Sequence, residues 1–177
     1  MAIPWLNVLV FVAAFTGANL MAHKDLRGAE TPKLPACEAL IGLEGVRVAV
    51  DLPAEAAAAL GVEKGAISDR VDRQLRAAKI RNLSREESVR QGAAELCVSV
   101  RASQFNEPAL IAYCVDVTLR EPALLVRDRG QSIVAITWRS PGIVAAGKSP
   151  LAESILRQID EQLDYFVRGY RAANAVR

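Results

Sequence analysis

The chain has 177 residues, 51% hydrophobic and 24% charged, with a formal net charge of +2. Such a composition excludes a disordered, collagen-like or repetitive polymer, and the interspersed charges exclude the strong basic field of a nucleic-acid binder. A chain of this length buries enough surface to hold a core without metal or disulfides, so its three cysteines are not needed for folding.

Residues 1–22 are predicted to be a secretory signal peptide. The run WLNVLVFVAAFTGANLMA carries no charge, its apolar centre from Leu6 to Phe15 has the length of such a segment, and small residues allow cleavage after Ala18 or Ala22. No Lys or Arg precedes it. The competing reading is an uncleaved anchor, since Ile3 to Ala22 reaches the ~20 residues a span requires, although Asn7, Thr16, Gly17 and Asn19 dilute it. Export to the periplasm or the exterior follows, with membrane contact only if the segment stays uncleaved. LPAC, Leu34 to Cys37, imitates a lipid-attachment box but is separated from the apolar run by charges and a proline. Residues 23–43 read as a lead-in or tether, and 44–177 as a single domain.

Within the domain, VRVAVDLP alternates and is rich in valine, which predicts a strand ended by Pro53. AEAAAALG predicts a helical turn closed by Gly61. Ile67, Val71, Leu75 and Ala78 then recur at spacings of three and four, the mark of a helix with one buried stripe. After a short strand at Ile80 to Leu83, Ser84 and Glu87 form a capping-box start and Gly92 a stop. The period next changes to two: Leu96, Val98 and Val100 share one face, as do Ile111, Tyr113, Val115, Val117 and Leu119. Joined around QFNE, these segments make a hairpin. The second continues past a bend at Pro122 into ALLVRD, turns at RDRGQS and returns as IVAITWR, where Trp138 alternates with Val134 and Ile136 and is expected in the core. Ser149 as N-cap and Pro150 at the first helical position open a final helix buried along Leu151, Ile155, Ile159, Leu163, Phe166 and Tyr170. The expected fold is α+β: a mixed sheet with antiparallel hairpins, helices on one face, in the order β-α-β-α-β-β-β-α.

Gly142 to Ser149 matches the G-x-x-x-x-G-K-[ST] pattern of a phosphate-binding loop. Pro150 removes an N–H from the turn that would face the phosphates, and Asp116, the one acid closing an apolar run, sits mid-strand. The pattern therefore reads as a turn and a helix start, with Lys148 solvated. A nucleotide-binding protein using this loop is the alternative.

The single histidine, His23, lies beside the cleavage site, so the domain itself lacks the usual general base and histidine-bound metal. No catalytic, cofactor-binding or metal-binding residues are assigned, no small-molecule substrate is identifiable, and an enzyme is not expected. Arg70, Arg73, Arg76, Lys79, Arg81 and Arg85 alternate with Asp69, Asp72 and Glu86, as on a solvated helix face. Matching the apolar faces of the hairpin requires paired residue numbers with an odd sum. A sum of 211 sets Cys97 across from Cys114, leaving two readings: a structural disulfide in an oxidising compartment, or two reduced thiols. A thiol-redox protein is a further alternative, although no CxxC spacing occurs.

The alternating strand, LRAAKIRNLS, the pair LCVSVRAS and YCVDVTL, the strand end AITW and ILRQIDEQLDYFVRGYRAAN resemble a group of uncharacterised secreted bacterial proteins. That group is similar in layout to the amino-terminal domain of the translocation protein TolB and to periplasmic activator lipoproteins. Over Leu43 to Asn174 the resemblance implies a non-enzymatic periplasmic binding or assembly module, with another cell-envelope protein as partner.

Overall fold

The computed structural model describes residues 38–91, 94–105, 110–140, 142–147 and 151–175. A 3-10 turn, Glu38–Leu40, precedes β1 (Gly45–Asp51), α1 (Ala54–Leu60), α2 (Lys64–Ala77), β2 (Arg81–Asn82) and α3 (Arg85–Gln91). Then come β3 (Glu95–Phe105), β4 (Leu110–Leu125), β5 (Asp128–Arg139), β6 (Ile143–Gly147) and α4 (Ala152–Asn174). The sheet runs β2-β1-β3-β4-β5, with β6 also on β4. β1 is parallel to β2 and β3, and every other pairing is antiparallel. The protein is α+β with a mixed sheet, as the alternation and helical stripes imply; β6, read from sequence as part of a turn, is the added strand.

One face of the sheet and two helices build the core. Val46 and Val50, Leu96 to Val100 at every second position, and Ile111 to Leu119 at every second position are buried against Ile67, Val71 and Leu75 of α2 and Ile155, Ile159, Leu163 and Phe166 of α4. Period two meeting period 3.6 is what layers a helix on a sheet. Trp138 closes the core at the β5 side, edge-on to Phe166 with ring centroids 5.2 Å apart and tilted against Tyr165 at 5.8 Å. Across the two helices, Gln74 donates to Asp160 at 2.8 Å and Arg70 pairs with the same carboxylate at 3.0 Å.

Local signals set the element ends. The α2 helix closes in a Schellman turn: Ile80 N–H reaches Leu75 C=O at 2.9 Å, Lys79 N–H reaches Arg76 C=O at 3.0 Å, and Lys79 adopts φ 61°. Ile80 and Leu75, both buried, supply the apolar contact of that motif. The capping box forms as read: Glu87 N–H donates to Ser84 Oγ at 3.2 Å and Ser84 N–H to Glu87 Oε2 at 2.9 Å. These bonds favour the ionised form and hold the Glu87 carboxyl below the usual range. The stop at Gly92 lies outside the described residues. So do Ser149 and Pro150; α4 begins at Ala152 after Leu151, which caps without a side-chain bond.

Part of the segment read as lead-in belongs to the core. Leu40 is fully buried, and a Cβ added to Gly169 of α4 would stand 3.2 Å from its side chain. Asn174 at the far end of α4 donates to Leu40 C=O at 2.8 Å and accepts from Gly42 N–H at 2.9 Å. Among the described residues the compact unit accordingly reaches back to Glu38. Predicted residues 1–22, the rest of 23–37 and Cys37 lie outside the described residues. Among the described residues no helix is long and apolar enough to cross a membrane.

Candidate functional site

β4 is longer than the strand beside it. Its pairing with β3 runs from Leu110 to Arg120 and then ends, whereas β4 continues to Leu125 and β5 returns from Asp128. Glu121 to Ala135 therefore forms a two-stranded arm beyond the body of the sheet, with Ile136 at its base and Val126 and Arg127 at its tip. Pro122 sits just past the last residue paired with β3, on a free edge, which is where a strand tolerates proline. Near the tip Gly130 N–H donates to Asp128 Oδ1 at 3.1 Å, tightening the turn.

A bulge decides which way the arm's side chains point. Leu119 pairs with Trp138 but Arg120 pairs with Ile136, so Thr137 is an extra residue. One inserted residue reverses the alternation. Trp138 is 6% exposed, while Ile136 and Val134 are 58% and 74% exposed. The expected sharing of one face by all three is thereby corrected: Trp138 is core, and the other two lie on the opposite face with Pro122, the partner of Val134, and Leu124, one pair further along. Leu124, Val126, Ile133, Val134 and Ile136 are five of the six large exposed apolar side chains among the described residues; Ile41 is the sixth. Concentrating them on one hairpin leaves an apolar surface of the kind that marks an interaction site.

The rest of that sheet face is polar and self-paired. Glu95 holds Arg47 and, at 3.8 Å, Arg120; Asp51 pairs with Arg101 at 3.4 Å; Asp116 pairs with Arg139 at 2.8 Å. Each carboxylate already faces a guanidinium, so none is poised as a general base.

Between these ion pairs lie the two cysteines. The β3–β4 register sums to 215: Cys97 stands opposite Thr118 and Cys114 opposite Arg101. The odd sum required by the apolar faces holds, but the hairpin turns after Phe105 instead of at QFNE. Four residues of strand, about 13 Å, now separate the two levels, beyond disulfide reach, and both thiols are free. Burial pushes the Cys97 thiol up, opposed by Arg120; burial and then Asp116 push up Cys114. A raised pKa is the reverse of what activates a nucleophilic or redox cysteine. At neutral pH Cys114, half-buried, is therefore expected to alkylate more slowly than a free thiol and to need a higher pH than a free thiol to reach full reactivity. Cys97 is expected to react only with denaturant. Mass-resolved alkylation with and without reductant checks both, and a reductant-dependent gain of two labels at these residues would contradict the register.

The phosphate-loop pattern dissolves into sheet structure. Ile143–Gly147 is strand β6, running antiparallel against Ile111 to Val115. An extended, paired segment does not converge its N–H groups on one anion. Gly142 has its own reason: an added Cβ would lie 2.5 Å from Asp116 Oδ1, so the glycine gives room to the carboxylate that clamps Arg139. Lys148 and Ser149 lie outside the described residues. The arginine-rich stretch is divided among ion pairs, Arg70 with Asp160 and Arg81 with Glu87, and Arg73 and Arg76 line only a shallow depression with Asp69. Among the described residues no cluster of three potential metal ligands occurs.

These features define an α+β domain with a projecting apolar β-arm. No family model, curated protein or solved structure matches the chain.

Proposed function

We propose that this protein is a non-enzymatic exported module of the cell envelope that binds a protein partner through the β4–β5 arm. The carrying observation is the arm itself: Leu124, Val134 and Ile136 sit more than half exposed on a ribbon that the sheet does not need for its core. The apolar run in residues 1–22, read as a signal peptide, supports export, and the sequence resemblance to a group similar in layout to the TolB amino-terminal domain supports a binding or assembly role. Neither alternative gains a comparable observation. The glycine-lysine pattern runs through a strand, and the thiols, Cys97 buried and Cys114 half-buried, are weakly acidic.

The test is a photo-reactive residue placed at Val134, on the arm, or at Asp69, on α2. In cells the Val134 probe is expected to form a protein adduct in the exported fraction, and the Asp69 probe none. Full-length chain retained in the cytosol, or no adduct from Val134, defeats the proposal.

A further inference from the structure

Resting on the reading of the arm as a docking surface, we propose that the partner is a second copy of this chain, joined β5 to β5 across a two-fold axis into one continuous sheet. β5 is the last strand on its side among the described residues, so its outer N–H and C=O groups face no neighbour there. From Gln131 to Trp138 it carries neither a charge nor a proline. Edges that must stay single use those devices to repel a second strand, and this edge has none along eight residues.

Charge and face select the register. Antiparallel pairing about a two-fold axis gives partner positions a constant sum, and an even sum keeps the exposed apolar faces on one side. Centring on Ala135 sets Val134 against Ile136 twice and, because the sum shifts by one past the Thr137 bulge, Arg139 against the uncharged Ser132. Moving the centre to Val134 opposes Ile136 to Ser132, and moving it to Ile136 opposes Val134 to Arg139. Only the Ala135 centre of these sets both apolar residues of that face against each other. Leu124 and Pro122 of each copy then extend the joined patch. Gln131 to Arg139 spans about 25 Å at a strand's rise, which with these side chains makes an interface near the small end of the specific ones, ~1,200 Å² in total. A reversible dimer of micromolar affinity is the consequence.

Sedimentation of the purified protein between about 1 and 200 μM tests this, a range that brackets an interface of that size. The parent is expected to pass from mostly monomer to mostly dimer. Val134→Lys is expected to stay monomeric throughout with an unchanged melting temperature, and Ile41→Lys, exposed but off the arm, to dimerise like the parent. Independently of any loss of fold, Ala135→Cys is expected to cross-link to its own symmetry mate on mild oxidation, above the parent's background. A monomeric parent, an unaffected Val134→Lys dimer or an Ala135→Cys variant without added cross-link overturns the proposal. If the parent is monomeric while the Val134 photo-adduct contains a different protein, self-association fails and the docking reading stands.

Discussion

Phe166→Ala is expected to lower the unfolding free energy by about 3–5 kcal/mol, the range for truncating a fully buried aromatic ring. Phe166 is completely buried on α4, the helix that covers the sheet centre, and it meets the Trp138 ring edge-on. Its loss removes both transfer free energy and the wall against which Trp138 packs; Ile159 and Leu163, on the same stripe, are held by the sheet and cannot collapse into the gap. Phe166→Leu, which keeps part of the volume, is expected to lose roughly half as much. Urea unfolding followed by tryptophan fluorescence reads both quantities, because Trp138 reports on the damaged site directly. A loss under ~1 kcal/mol for the alanine variant would mean that this face of α4 is not seated on the sheet.

Much of that core could be read from periodicity. The stripes Ile67-Val71-Leu75 and Ile155-Ile159-Leu163-Phe166 are buried because a 3.6 period leaves one face for the sheet, and the alternating run from Ile111 to Leu119 faces them. The capping box was equally legible because its chemistry is local, within Ser84 to Glu87. What failed were non-local choices. Parity restricts the β3–β4 register to odd sums without choosing among them, and the choice of 215 over 211 separates the cysteines. Alternation assumes no inserted residue, so the Thr137 bulge turned Val134 and Ile136 from expected core into exposed surface. The candidate site thus lies where the pattern broke. Its trace in the sequence was an excess of apolar residues, Ile133 to Ile136 running almost without interruption where a half-buried strand should alternate.

Gln162→Leu is expected to destabilise the fold by about 2–4 kcal/mol even though leucine is the more hydrophobic side chain. The reason is the break between β5 and β6. Thr118 pairs with Arg139 and Val115 with Ile143, so the ladder is interrupted at Asp116 and Val117 of β4. Ser140 N–H still reaches Val117 C=O at 2.9 Å, but Val117 N–H has to turn to Ser140 Oγ, at 3.1 Å, and Val115 C=O takes its donor from the side chain of Gln162, at 2.7 Å. The Ser140 hydroxyl in turn donates to Gln162 Oε1, closing the network, and both residues are only 3% exposed. Leucine would leave the Val115 carbonyl without its side-chain donor and the Ser140 hydroxyl proton without an acceptor, in a place water does not reach. Ser140→Ala removes the acceptor of Val117 N–H and is expected to lose about 1–3 kcal/mol. Because the hydroxyl–amide bond is counted in both single variants, the double variant should fall short of their sum by about 1 kcal/mol. A double-mutant cycle in urea measures that coupling; strict additivity would mean that the side chains act separately and that water, not Gln162, mends the interrupted ladder.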